Sequence, residues 1–321
     1  MTVLIPARDT IKSMGDAANS AAKAVSDAAS SIGEGAEWAA QFAENYLVAT
    51  VAGGVATFIK RFPLAEPCVD YLLAPKGTQD RDGQYMGQGC PTSSSTPPEE
   101  GAKPRGCANS GKVFPKIIYT NGINTPPEAA CATMHKIADS RCAEVIGVYN
   151  ATDGIGGDVA NANRKINGDS SDKAAQSLSQ LVQDMSARGE KVTIFAHSEG
   201  GLNAQTGLGI AYEKMEKEHG KGYANRAMQN MSVYSFGTAQ RGWPTGPTYT
   251  QFTNFSDPVP HLIGADQRNT NRPFGMAPNT TSNVFANPQW NPIEAHSMDG
   301  TYLDYLNRKY PVPKGPNGSC C

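Results

Sequence analysis

From Val113 onward the chain alternates short apolar runs with longer stretches of helical rhythm, and few architectures accept that order. "KVFPKIIYTNG" reads as a strand, "PEAACATMHKIADS" as a helix with Pro127 in its first turn, and "AEVIGVYNATDG" as a second strand. "SDKAAQSLSQLVQDMSARGE" is an amphipathic helix with Leu178, Leu181, Val182 and Met185 on one face and Asp172 near its start. "KVTIFAHS" is a third strand, "EGGLNAQTGLGIAYEKMEKEHG" a helix, "QNMSVYSFGTAQ" a fourth strand and "TYTQFTNFSD" a fifth. Strands that alternate with helices predict an α/β fold with a parallel sheet covered on both sides. Strands buried on both faces also explain why their apolar runs are nearly continuous.

The preceding residues follow other rules. Over residues 10–62 the chain is rich in Ala and Ser, with apolar residues at Ile11, Met14, Ala18, Ala21, Val25, Ala28 and Ile32. Steps of three and four make a helical seam, and Gly33 and Gly35 break it before a second helix over about 36–61. Residues 1–62 are therefore expected to form a helical arm or hairpin. It lies against its own domain, docks on a carrier or partner, or touches a membrane. The longest nearly apolar run, Tyr46 to Ile59, has 14 residues, short of the roughly 20 needed to span a bilayer. Residues 63–112, with "GQGCPTSSSTPPEEGAKPRGCANSGK", carry turn and linker chemistry without a period and are expected to be a connector. Residues 113–321 then form the third region, the α/β domain.

Charge and cysteine content bound the environment. With 28 basic and 30 acidic residues the formal net charge is -2, so no concentrated basic surface points to a nucleic-acid partner. "MTVLIPARDTIKSMGD" lacks the basic and apolar regions of a secretory signal. There are seven cysteines. Cys131 and Cys142, eleven residues apart in one expected helix, would be about 16 Å apart, beyond the ~7 Å reach of a disulfide. Either is free to meet a cysteine of the connector, where Cys68, Cys90 and Cys107 lie in or beside the Pro/Gly/Ser-rich stretch; Cys320 and Cys321 end the chain. Disulfides would require an oxidising destination, towards which the count leans. No CxxC or His/Cys spacing indicates zinc.

The junction "VTIFAHSEGG" places Ser198 between a strand and a helix. Such an elbow needs small residues two before and two after the serine, because the turn brings strand and helix together. Ala196 and Gly200 occupy those positions. Ser198 reads as a nucleophile or, in the plainer alternative, as a turn serine capping the helix. A nucleophilic serine needs a histidine to take its proton and a carboxylate to orient that histidine, following in the order Ser, acid, His. Asp257 lies just past the fifth strand. Of the downstream histidines, His219 ends a polar helix face, His261 shares the acid's own loop, and His296 stands on a separate loop before a terminal helix. Asp257 and His296 are the expected partners. The oxyanion would be bound by the Glu199 N–H and a second donor after the first strand, assigned to Ile123 with Asn124 as the alternative. The stretch Asn121-Gly122-Ile123 resembles the His-Gly-x oxyanion loop of many hydrolases with Asn121 in place of His, and reads equally as a plain Asn-Gly turn. "DGIGGD" (Asp153–Asp158) lacks EF-hand spacing and is expected to be a loop. A lid would come from that loop through Ser171, or from the Ala265–Trp290 segment, which carries Phe274, Met276, Phe285 and Trp290.

"TIFAHSEGGLNAQ", "VYSFGTAQRGW", "QFTNFSDPVPHL" and "AHSMDGTYLDYL" resemble, in order, four landmarks of the class 3 lipases. These are the HS-x-GG elbow, the following strand with its Phe-Gly turn, the T-N-x-x-D-x-V-P acid loop and a late histidine near a Tyr-containing segment. The resemblance covers about Val113 to Tyr310. It implies an α/β-hydrolase fold and a Ser198–Asp257–His296 triad cleaving a carboxylic ester of lipid, with no metal or cofactor. Ala196 replaces the usual glycine. Glu199 stands where these lipases carry an apolar residue, which bears on how apolar the pocket mouth is. A lipase-like domain behind an Ala-rich arm resembles bacterial phospholipase effectors delivered by type VI secretion machines. That resemblance implies export without a standard signal to a target-cell membrane, an immunity protein and a secretion carrier. A housekeeping esterase or thioesterase, a binding module that keeps the fold without activity, and a membrane-disrupting N-terminal hairpin are the competing readings.

Overall fold

A computed structural model describes residues 78–90, 94–107, 110–151, 171–238, 243–257, 259–260, 279–286, 292–315 and 318–321. The helical arm expected over 1–62 lies outside the described residues, as do Cys68, the Asp153–Asp158 loop, His261 and most of the Ala265–Trp290 segment. Among the described residues no helix is long and apolar enough to cross a membrane.

Among the described residues seven strands form one sheet: β1 (Tyr85–Met86), β2 (Lys116–Thr120), β3 (Glu144–Val148), β4 (Val192–His197), β5 (Met231–Phe236), β6 (Thr248–Asn254) and β7 (Thr280–Phe285). Their order across the sheet is β1-β3-β2-β4-β5-β6-β7. Every pair is parallel except β1 with β3. The helices are α1 (Pro127–Arg141), α2 (Lys173–Ala187), α3 (Gly200–His219), α4 (Lys221–Gln229), α5 (Pro292–Ala295) and α6 (Leu303–Lys309), with a π-helical turn, Met298–Tyr302, ahead of α6. The α/β architecture expected from the alternation is the observed one, and the five expected strands are β2 to β6.

Alternating strand side chains feed two cores. Ile118, Val192, Ile194, Ala196 and Val233 pack with Leu178, Leu181, Met185, Leu208 and Met215 of α2 and α3. On the other face Ile117, Tyr119, Phe195, Phe236 and Phe252 pack with Met134 and Ile137 of α1 and with Tyr302, Leu303 and Leu306. Period-two strands thus serve two helical layers at once. The Asp172 side chain caps α2 by accepting from the Ala175 N–H at 2.7 Å, a bond worth roughly 0.5–2 kcal/mol. Pro127 opens α1, where its missing N–H costs nothing.

Both sheet edges differ from the sequence reading. The region read as a connector supplies β1, and Ala102 bridges Val145 of β3 through two backbone hydrogen bonds of 2.7 and 2.9 Å. β7 runs through a stretch read as a possible lid. Its sequence, TTSNVF, alternates exposed and buried positions in the manner of an edge strand, and that polarity hid it among loop residues.

Cys90 is bonded to Cys131, Cys107 to Cys321 and Cys142 to Cys320. Cys131 and Cys142 do not pair with each other, as the helix geometry requires, and Cys131 meets a connector cysteine. Cys142 instead takes its partner from the chain's last two residues, which the bridges fasten to the segment before β2 and to the end of α1.

Candidate active site

Ser198 lies at the end of β4, immediately before α3, with φ at +54°. A non-glycine residue in this left-handed region costs of order 1–3 kcal/mol and persists only where its surroundings enforce it. Here they do. The Ser198 N–H donates to the Phe236 carbonyl at 3.0 Å, and the Ser198 carbonyl accepts from Gly201 at 3.0 Å. The sterics account for the small residues around it. A Cβ on Gly200 would lie 2.4 Å from the Thr120 carbonyl oxygen, and one on Gly122 would lie 2.5 Å from the Ser198 Cβ. Ala196, in register with Thr120 and Ser235, is fully buried, so its methyl fits where a glycine is usual.

The acid stands past β6. Asp257 is fully buried, and burying a carboxylate is costly unless donors surround it. Its Oδ1 accepts from the Val259 N–H at 2.9 Å, and its Oδ2 accepts from His296 Nδ1 at 2.7 Å and from the Tyr302 hydroxyl. The loop is fixed by Asn254, whose Nδ2 donates to the Ala295 carbonyl at 3.0 Å and whose Oδ1 accepts from the Ser256 N–H at 3.3 Å. Sequence reasoning named Asp257 and His296, and the structure brings them into direct contact.

In the neutral imidazole, an Nδ1 that donates to Asp257 leaves the lone pair on Nε2. That nitrogen is buried and has no hydrogen-bond partner among the described residues, the Ser198 hydroxyl included. Substrate-free sites commonly hold this bond long or misaligned.

Two residues beside the pair escaped the sequence reading. Tyr302, fully buried in the turn after His296, donates to Asp257 and accepts from the Asn254 N–H at 3.2 Å. Burial, reinforced by the neighbouring Asp257 charge, pushes its phenol far above the ordinary range, so it acts as a neutral donor. His197 donates from Nε2 to the His296 carbonyl at 2.8 Å, and its ring centroid lies 4.8 Å from that of His296. Burial first, and the nearby His296 second, push its pKa down to about 3, so it remains an uncharged brace. Tyr302 sits in the quoted "GTYLDYL", yet no spacing rule joins it to an acid 45 residues away.

The loop after β2 is where the oxyanion donors were sought. Gly122 brings it against Ser198, since a Cβ there would also lie 3.1 Å from the serine Oγ. Asn121 pins this loop: its Nδ2 donates to the Gly122 and Asn150 carbonyls at 3.0 and 2.8 Å, and its Oδ1 accepts from the Asn150 N–H at 3.0 Å. Asn150 Nδ2 in turn donates to Glu199 Oε2 at 2.8 Å. Asn121, Asn150 and Glu199 are all buried, so the Glu199 side chain turns inward to tie the elbow to the loops after β2 and β3. Ile123 and Asn124 follow Gly122 on this braced loop, with Asn124 at φ +52°. His219 is half-exposed beside Glu218 and takes no part in the site.

The fold is α/β with a mostly parallel sheet, and a strained serine stands at a strand-to-helix elbow with an acid and a histidine following in that order, the setting a nucleophile elbow requires. No protein-family profile matches the chain, and no curated protein does either. Among solved structures, an S-formylglutathione hydrolase from Agrobacterium tumefaciens is similar at 10% sequence identity and a TM-score of 0.30, over 62% of this chain and 85% of that one. A likeness that slight bears on neither fold nor substrate, and the α/β assignment stands on the strand order and its flanking helices.

Proposed function

We propose that this chain is a serine hydrolase of carboxylic esters, of the lipase or phospholipase type, with Ser198, His296 and Asp257 as its triad. One observation carries the reading: His296 is locked to the buried Asp257 through Nδ1, its Nε2 has no hydrogen-bond partner among the described residues, and its carbonyl accepts from His197, the residue before Ser198. In the first step the Ser198 Oγ attacks the ester carbonyl as His296 Nε2 takes its proton. The tetrahedral oxyanion is held by the Glu199 N–H and by Ile123 or Asn124 on the Gly122 loop, each donor worth about 2.7–4 kcal/mol. His296 then returns the proton to the leaving alcohol, giving an acyl-enzyme. Water, deprotonated by the same nitrogen, releases the acid. Asp257 stays ionised and stabilises the imidazolium.

The lipid part of the reading is supported by the class 3 lipase landmarks in the sequence. The three disulfides support work in an oxidising compartment. Delivery as an antibacterial effector, with a carrier and an immunity protein, follows from the arm-plus-lipase resemblance and is part of the proposal. The test is fatty-acid release from phospholipid vesicles by wild type and Ser198→Ala. Release that vanishes in the mutant supports the phospholipase reading. Hydrolysis of short soluble esters alone moves the substrate class to a general esterase. No hydrolysis of either substrate leaves a binding module.

A further inference from the structure

The three disulfides do not have the same surroundings. Among the described residues the one set of metal-competent donors whose ligand atoms all lie within 4.8 Å of one another is Cys90, Cys131 and His135. Cys131 and His135 stand four apart on α1, so their side chains stack one turn apart on one helical face. Cys90 reaches them from the turn after β1. All three are only partly buried, which leaves an ion a way in. His135 is not engaged by any hydrogen bond or ion pair with described residues. The other two bridges, Cys107–Cys321 and Cys142–Cys320, have no such third donor among the described residues. Separation along the chain hid the trio, because Cys90 and Cys131 are 41 residues apart.

We propose that Cys90, Cys131 and His135 form a zinc site when their disulfide is reduced, so that one cross-link between the β1 turn and α1 exists in two chemical forms. Two thiolates and one imidazole suit zinc, with water in the fourth position. Donors around a tetrahedral zinc lie about 3.5–3.8 Å apart at ordinary bond lengths, so opening the bridge requires only a small separation of the sulfurs. The chemistry balances. A dithiol or phosphine reductant supplies two electrons and is itself oxidised, the S–S bond breaks, and two protons give two thiols. Zinc then displaces both thiol protons, and a disulfide oxidant that takes two electrons from the thiolates, itself reduced to two thiols, re-forms the S–S bond and releases the ion. The β1 turn stays fastened to α1 under reducing and oxidising conditions alike.

The experiment uses the full chain. It is treated with a trialkylphosphine (converted to its oxide with oxygen from water), desalted, and pulsed with iodoacetamide with and without zinc. Peptide mass spectrometry then reads each cysteine separately. Zinc is expected to protect Cys90 and Cys131 in the wild type, while His135→Ala, a substitution on a partly exposed helix face, loses that protection. Untreated protein is expected to bind no zinc at this site. Equal labelling of Cys90 and Cys131 with and without zinc overturns the proposal. So does unchanged protection in His135→Ala, and so does a Cys90–Cys131 bridge that resists reduction while the protein stays folded.

Discussion

The two halves of the candidate site are held by different means. The nucleophile half is fixed by backbone. Ser198 is pinned by main-chain hydrogen bonds to Phe236 and Gly201 and pressed by Gly122. The acid–base half is fixed by side chains, with Asp257, His296, Tyr302, His197 and Asn254 bonded in a chain across β4, β6 and the turn before α6. A backbone-held group has little room to adjust, so a change there either fits or breaks the site. A side-chain network loses function in steps as single bonds are removed.

The largest effect is expected from the first half. Ser198→Ala should lower kcat by about 10^6, as loss of a nucleophile does in triad hydrolases, with the melting temperature little changed or raised as the serine's hydroxyl is removed. Gly122→Ala, which forces a methyl against Ser198, should abolish measurable turnover while a milder change in the second half does not. Comparing their kcat values with retained secondary structure by circular dichroism sharpens the contrast. On the acid–base side Asp257→Asn should lower kcat by about 10^4, since the amide favours the wrong imidazole tautomer.

Tyr302→Phe should cost less, on the order of 10- to 100-fold in kcat, matching the roughly 1.5–3 kcal/mol of a hydrogen bond to a charged group. It should leave KM nearly unchanged. A Tyr302→Phe enzyme as dead as Ser198→Ala would show that the second half does not degrade in steps. The smallest effect on turnover concerns His197. Its folded pKa of about 3 lies below the ordinary histidine value, so the unfolded chain takes up a proton that the folded one refuses. Its contribution is present above about pH 6.5 and is lost as pH falls towards 3, by up to about 1.4 kcal/mol per pH unit. Chemical denaturation of His197→Phe should show a shallower loss of stability over that acid range, with only a few-fold change in kcat at neutral pH.

The same contrast governs what the sequence revealed. The elbow was legible because its requirements are local: a strand, a serine, and small residues within two positions. Asp257 and His296 were legible by chain order and by their place at element ends. Tyr302 and His197 were not, since their partners lie 45 and 99 residues away and no periodicity marks a brace. Glu199 was read as a residue of the pocket mouth because nothing local announces Asn150, 49 residues distant, as its partner. In the fold, β2 to β6 were legible from their apolar runs. β1, with two residues, and β7, with polar edge positions, carried too little hydrophobic signal to stand out from loop.

The central claim is that Ser198 is an activated nucleophile served by His296 and Asp257. Intact-mass analysis after exposure to an alkyl fluorophosphonate tests it whatever the natural substrate, because phosphonylation needs only an activated oxygen and expels fluoride. The account predicts a single adduct mapped to Ser198, absent in Ser198→Ala and formed far more slowly in His296→Ala. No adduct on the folded wild type, or an adduct that persists in Ser198→Ala, would contradict it.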